Sequence, residues 1–345
     1  PIYETVYEIE EIVMENEIVS IVIPVYNAEK YILRCLESLQ QQTYRKFECV
    51  IIDDGSVDKS KLLVEGVCER DYRFRYIYQE NAGPSAARNR GIREVCGKYL
   101  IFIDADDYVE RNYIEQLVCK IKQGMDLVCC GYIDISRYGI VYWNDFIKGD
   151  FSRERLIQCI INGTGGVLWG KIFKTSIVKD NDIQLDESLF MCEDMIFVLQ
   201  YVEYVTEWCV IPQNLYYYNR LNENSISKRI SDGYLNNYEN FFKRLIRELK
   251  KLNVPETALS KYSNEKISKT LSALIRVSKE KRDLILKLKE NDFWLMYFCK
   301  NYDKNIILKL AFKERIFILK LYIFGENSLR TIGGGVKRFV KGMIK

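Results

Sequence analysis

Between residues 18 and 132, short apolar runs alternate with segments in which apolar residues recur every three or four positions. Val19-Ser-Ile-Val-Ile23 predicts a strand ended by Pro24, and Phe47-Glu-Cys-Val-Ile-Ile52 predicts a second. Ile32, Leu36 and Leu39 share one helical face, so a helix is expected from an Asn27 cap, with Glu29 in its first turn, to about Gln42. Ser56 is expected to cap the next helix, and Tyr76–Tyr78 reads as a third strand. Pro84 opens a helix reaching Val95, Tyr99–Ile103 is a fourth strand, 112–123 a helix and Asp126–Cys130 a fifth strand. Strands this apolar, alternating with helices, predict a parallel sheet covered on both faces. In such sheets ligands bind at the carboxyl ends of the strands.

Polar clusters fall at those ends: Pro24-Val-Tyr26-Asn27, Asp53-Asp54-Gly55-Ser56 and Asp104-Ala-Asp-Asp107. Carboxylates closing a buried strand are costly unless a cation meets them. Asp104 and Asp106, two positions apart, suit one Mg²⁺ or Mn²⁺ plus a ribose hydroxyl, because these hard ions keep sites for phosphate oxygens. Asp107 is a ligand or, in preference, a cap. Asp53 and Asp54 would form an Asx turn and cap in isolation; beside the acidic cluster they are read as partners of a base or ribose edge. Arg88, in a small-residue stretch opening a helix, faces either phosphate or a core Asp.

Composition narrows the chemistry. The chain has 345 residues, 48% of them apolar and 29% charged, and no histidine. A His triad, His zinc site or His base is excluded, so base chemistry falls to Asp or Glu ahead of Lys, Tyr or Cys. Glu193-Asp194, at the head of a helix predicted over 195–204, would be ordinary helix-dipole partners in isolation; in a chain without histidine the pair is a strong candidate. Eleven scattered cysteines without a CxxC pair predict free thiols and a reducing compartment. Net charge is +3, but residues 300–345 carry 11 Lys/Arg against 3 Asp/Glu, a surplus of +8 that leaves the remainder at −5. Mixed apolar and basic runs at 315–324 and 336–341 predict contact with an anionic membrane surface. Nucleic-acid binding is not expected, because the basic surface is confined to this tail. No signal peptide and no bilayer-spanning run are read, and the chain begins at Pro1, which leaves the native N-terminus open.

Residues 133–230 are less regular. Trp169 and Lys171 are candidates for an acceptor platform or for core packing. Tyr216-Tyr-Tyr218-Asn-Arg220 with Ser225 reads as a strand and turn, or as a lid placing Arg220 on a diphosphate. From 231 the chain reads as helices.

Ser20-Ile-Val-Ile-Pro-Val-Tyr-Asn27, Asp53-Asp-Gly-Ser56, Asn81-Ala-Gly83 with Ala87-Arg-Asn89, Asp104-Ala-Asp-Asp107 and Glu193-Asp194 together resemble the family 2 glycosyltransferases, over about residues 18–228. The resemblance implies a GT-A fold: a Rossmann-like α/β domain with a mixed, mainly parallel sheet flanked by helices. Here it would carry a C-terminal helical extension. Outside the match, the residues read as an N-terminal extension at 1–17 and a helical basic region at 231–345, which the resemblance does not specifically cover. The resemblance implies a catalytic domain at 18–230, with a nucleotide-sugar-binding half, 18–132, and an acceptor-side half, 133–230. It further implies an inverting enzyme that uses a UDP-sugar with Mn²⁺ or Mg²⁺. By position, Pro24, Tyr26 and Asp54 would hold uridine with Asp53 nearby, Asp104 would touch ribose and Asp106 the metal. Asp194 would be the base with Glu193 beside it, and Trp169 and Lys171 would lie on the acceptor side. Asn222-Glu-Asn-Ser225-Ile-Ser227 resembles a lid that often ends in His, where Lys228 stands here.

The resulting expectation is transfer to a glycan or lipid-linked saccharide in cell-surface polysaccharide or capsule synthesis, at the cytoplasmic face of the membrane, with homo-oligomerisation left open. A non-catalytic glycan- or nucleotide-binding module is the alternative. A dinucleotide oxidoreductase is disfavoured, since no GxGxxG follows the first strand.

Overall fold

The computed structural model describes residues 18–137, 139–143, 151–162, 165–222, 234–278, 280–301, 305–313, 315, 319 and 323. The chain divides into two units, Pro1–Arg229 and Ile230–Lys345.

The first unit holds nine described strands in one sheet: β1 Val19–Val25, β2 Phe47–Asp54, β3 Phe74–Gln79, β4 Tyr99–Phe102, β5 Tyr108–Val109, β6 Leu127–Ser136, β7 Gly139–Trp143, β8 Lys171–Lys174 and β9 Trp208–Asn219. Their order is β3-β2-β1-β4-β8-β6-β9-β5, with β7 pairing β6. β1 lies between β2 and β4, parallel to both, and β3 continues the parallel set. Its interior position explains why five of its seven residues are apolar and buried to 1% exposure or less. β8 then pairs antiparallel with β4 and β6, making the sheet mixed. The parallel part places Val25, Asp53 and Asp54, Gln79 and Phe102 at one edge of the sheet.

Helices pack on this sheet where small residues permit. In the helix Pro84–Glu94, Gly91 lies against β1 so closely that a Cβ would stand 2.3 Å from Val22 Cγ1. Two expected caps have other roles. The helix after β1 is Ile32–Gln40, and Asn27 lies outside it with a φ of 49°. Its side-chain oxygen accepts from Val57 N at 2.9 Å, and its own N–H donates to Ser56 Oγ at 2.9 Å. Ser56 therefore ties two loops together, while the helix it was expected to cap begins at Ser60. The left-handed backbone at Asn27 turns its side chain toward the neighbouring loop, an arrangement local spacing does not encode. Elsewhere the predicted strands and helices are present with shifted ends, and β6 runs on to Ser136.

β9 follows β6 in parallel with a register irregularity after Ile211. Pro212, which lacks an N–H, falls there, where no ladder bond is lost. Past it, Tyr216 to Asn219 resume pairing and reach the acidic turn after β4.

The second unit is helical: Tyr234–Lys251, Glu256–Val277, Lys281–Glu290, Asp292–Asn301 and Ile306–Phe312. Its own core holds Phe241, Phe242, Leu245, Leu271 and Trp294. The expected membrane-contacting runs lie outside the described residues except for Arg315, Leu319 and Ile323. Among the described residues no helix is long and apolar enough to cross a membrane. All eleven cysteines are free.

Candidate functional site

At the carboxyl end of β2, Asp53 and Asp54 are both buried. Asp53 accepts from Ser56 N at 2.9 Å and from the Tyr76 hydroxyl at 2.7 Å. Asp54 accepts from Gln79 Nε2 at 2.7 Å and Ala82 N at 2.9 Å on one oxygen, and from Gly83 N at 2.8 Å on the other. Both carboxylates thus organise loops. Asp54 fixes the approach to the helix Pro84–Glu94, and Gly83, at φ 92°, supplies the backbone turn that the approach requires. Pro24 is partly exposed, and the Tyr26 ring stands 54% exposed beside this edge.

One turn into that helix, Arg88 is 7% exposed and reaches three carboxylates. Its Nη2 donates to Asp104 Oδ1 at 2.8 Å, while Nη1 lies 3.4 Å from Glu193 Oε1 and 3.6 Å from Asp194 Oδ1. Arg88 therefore meets core carboxylates, one of the two outcomes the sequence allowed. Burial opposes its charge, but Asp194, Asp104 and Glu193 outweigh that and hold its pKa above the ordinary value. Burial raises the Glu193 carboxyl to about 7, with Asp194 adding to the shift and Arg88 opposing it. Burial raises Asp194 as well, again against Arg88. Asp194 Oδ1 is buried and accepts no hydrogen bond. A buried carboxylate with one oxygen not committed to a donor is a candidate for general-base work.

Glu193 and Asp194 open the helix Glu193–Val202, and Cys192 before them has a left-handed φ of 68°. A non-glycine residue in that region costs free energy and is held by its surroundings. The sequence carried no sign of it.

The turn after β4 separates its three carboxylates. Asp104 faces Arg88. Asp107 is buried, accepting from the Tyr216 hydroxyl at 2.6 Å and from Asn219 N at 2.7 Å. It anchors the turn to β9 and is neither a helix cap nor open to an ion. Asp106 accepts from Asn222 Nδ2 at 2.9 Å. Burial and the neighbouring Asp104 push the Asp106 carboxyl up. Two carboxylates that raise the local cost of negative charge fit a divalent cation electrostatically. Among the described residues no group of three or more His, Cys, Asp or Glu is arranged to hold an ion. Asp104 and Asp106 nevertheless match the mode in which one or two carboxylates hold Mg²⁺ or Mn²⁺ and substrate phosphates supply the remainder.

Trp169 is 8% exposed, stacked on Tyr216 at 4.8 Å and Tyr218 at 5.1 Å, with Tyr132 edge-on at 4.8 Å. Lys171 is 2% exposed; burial pushes its ammonium down, with Cys129, Cys130 and Asp194 opposing. Both are buried in the core and neither forms an open platform; Lys171 lies near enough to Asp194 for the two charges to interact. Arg220 pairs with Asp134 at 3.1 Å. Of the lid-like segment, Asn222 is described and residues 223–228 are not. Tyr216, Asn219 and Asn222 escaped the sequence reading as partners of the acidic turn. Their only signal was the clustering of amide and hydroxyl side chains around 216–222.

One helix thus joins the parts. Its approach is fixed by Asp54, and its Arg88 bridges Asp104 to Glu193 and Asp194.

Residues 20–180 match the family described as Glycosyl transferase family 2. EpsH of Bacillus subtilis (strain 168) is 34% identical over 222 residues, covering 63% of this chain and 64% of EpsH. The teichoic acid poly(glycerol phosphate) polymerase of Staphylococcus epidermidis is 30% identical over 263 residues, covering 71% of this chain and 35% of that protein. The chain therefore spans less than two thirds of the length of these curated relatives. S. aureus TarS 1–349, solved in complex with UDP-GlcNAc, superposes with a TM-score of 0.62 at 21% identity over 91% of each chain. The likeness is one of fold: a mixed, mostly parallel sheet flanked by helices, of GT-A type, with further helices toward the C-terminus.

Proposed function

We propose that the chain, whose residues 20–180 match glycosyl transferase family 2, is an inverting glycosyltransferase moving a sugar from a UDP-sugar to a glycan or lipid-linked acceptor hydroxyl. The observation that carries the reading is Arg88, which holds Asp104, on the donor side, to the base candidate Asp194. Asp194 takes the proton from the acceptor hydroxyl. The freed oxygen attacks the anomeric carbon from the face opposite the diphosphate, and the bond from that carbon to the diphosphate oxygen breaks. One C–O bond forms, one breaks, and the configuration inverts. Asp104 and Asp106 would hold Mn²⁺ or Mg²⁺, which when bound neutralises charge developing on the leaving diphosphate. Tyr26, Pro24, Asp53 and Asp54 shape the uridine end, while Glu193, Trp169 and Lys171 support the acceptor side. Arg220, next in sequence to Asn219 and paired with Asp134, would meet phosphate only on leaving that partner.

TarS, of the same fold, was solved with UDP-GlcNAc, which favours a UDP-sugar, and one relative is a teichoic acid poly(glycerol phosphate) polymerase, which favours a cell-surface polymer. The basic, apolar segment from 312 onward supports a place at the cytoplasmic face of an anionic membrane. Deleting residues 312–345 should lower cosedimentation with anionic liposomes, and unchanged binding would remove that part of the reading. The reaction itself is tested by incubating the full chain with a panel of UDP-sugars, with and without Mn²⁺, and measuring UDP. Release from one donor, enhanced by Mn²⁺, is expected. Donor binding without release under any condition would favour the non-catalytic binding module instead.

A further inference from the structure

The end of β9 and Asn222 just past it close over the acidic turn with five hydrogen bonds. Asp104 N–H donates to the Tyr216 oxygen at 3.3 Å, and the Tyr216 hydroxyl donates to Asp107 Oδ2 at 2.6 Å. Asn219 N–H donates to Asp107 Oδ1 at 2.7 Å, and Asn219 Nδ2 donates to the Asp106 carbonyl at 3.1 Å. The fifth differs in kind. Asn222 Nδ2 donates to Asp106 Oδ2 at 2.9 Å, so it acts on the functional carboxylate itself. The other four fix the backbone and the sacrificial third carboxylate, Asp107. They leave the Asp106 side chain to rotate unless something holds it.

We propose that Asn222 is a positioning residue that orients the Asp106 carboxylate for the divalent cation, so that a side chain just past the end of β9 sets cation affinity. This rests on the reading of Asp104 and Asp106 as the cation site. The physical argument is one of rotamer freedom and charge. An Asp side chain beside another carboxylate is repelled from it, and Asp104 is anchored by Arg88 while Asp106 has no cation of its own within salt-bridge distance among the described residues. A neutral amide donor holds one oxygen without neutralising the group. The carboxylate keeps the negative charge that attracts the ion, and its second oxygen is presented in a fixed direction. A lysine or arginine at 222 would compete with the cation for the same charge; an asparagine does not. Outer partners of this type change metal affinity by about 10–100-fold when removed.

The opposite role is also physically definable. If Asn222 occupied the oxygen that the cation needs, removing it would tighten binding. The test is titration of Mn²⁺ into the full chain, read by the paramagnetic resonance signal of free Mn²⁺, with and without UDP. The variants are Asn222→Ala and Asn222→Gln. Asn222→Ala should weaken Mn²⁺ binding by about 10–100-fold with an unchanged melting temperature, because Asn222 lies past the end of β9 and is partly exposed. Asn222→Gln, which keeps the amide on a longer arm, should recover part of the loss. Equal or tighter binding by Asn222→Ala overturns the proposal while leaving the cation site in place. If the wild-type chain binds no Mn²⁺ even with UDP, the cation reading of Asp104 and Asp106 falls, and the role of Asn222 falls with it.

Discussion

Replacing Asp194 by Asn lowers turnover by about 10²–10⁴-fold while donor binding persists, because general-base assistance has that magnitude and the amide cannot accept the proton. The substitution is nearly isosteric, so the helix Glu193–Val202 and its packing are retained. Arg88 loses one of three anionic neighbours but keeps Asp104 at 2.8 Å and Glu193 at 3.4 Å. The donor-side groups are untouched. The measurement is kcat for UDP release beside the dissociation constant for UDP, on protein with a wild-type melting profile. Glu193 stands next in sequence with its pKa raised to about 7. Its Oε1 accepts a hydrogen bond from Arg88, whereas Asp194 Oδ1 accepts none. Glu193→Gln should therefore cost less than Asp194→Asn, and the reverse order would transfer the base role to Glu193.

Replacing Arg88 by Met destabilises the folded chain by about 3–5 kcal/mol, the magnitude seen when one member of a buried charge group is removed. Three carboxylates converge on this guanidinium, whose side chain is 8% exposed. Methionine fills the space of the alkyl stem but leaves those charges facing one another without a counter-ion. They can relieve the repulsion by taking up protons, so the loss should be larger at pH 8 than at pH 6, on either side of the raised Glu193 titration. Denaturant unfolding at the two pH values measures this. Arg88→Lys should recover much of the stability but less of the activity, because an ammonium cannot reproduce the fork that spans Asp104 and the Glu193–Asp194 pair. A loss in Arg88→Met that is independent of pH would mean that packing, not charge, dominates at this position.

The parallel half of the fold was legible because its strands are buried on both faces, and burial leaves a continuous apolar mark such as Tyr99–Phe102. The acidic turn was legible for the same reason, since carboxylates contrast sharply with such a strand. Asp194 came from elimination in a chain without histidine, reinforced by family resemblance. Other features were set by contacts that sequence spacing does not carry. β8 is four residues long and begins and ends with lysine, so nothing in Lys171-Ile-Phe-Lys174 signals that Lys171 is buried. Asn27 looked like a helix cap because Asn favours both caps and left-handed backbone, and the loop 56–60 decided between them. Asp53 and Asp54 looked like ligands, yet each also serves a loop, and only the partners Tyr76, Ala82 and Gly83 reveal that. Asp107 could not be told from its neighbours until β9 was seen to cover it.

The central claim is that the acidic turn after β4 and the pair at Glu193 and Asp194 serve one cation-bridged UDP-sugar. Calorimetric titration of UDP into wild-type and Asp106→Ala protein, each with and without Mn²⁺, tests it most directly. The account predicts that Mn²⁺ tightens UDP binding to the wild type and that Asp106→Ala abolishes this dependence while its melting temperature is preserved. Tight binding of UDP that is indifferent to both Mn²⁺ and Asp106 would contradict it.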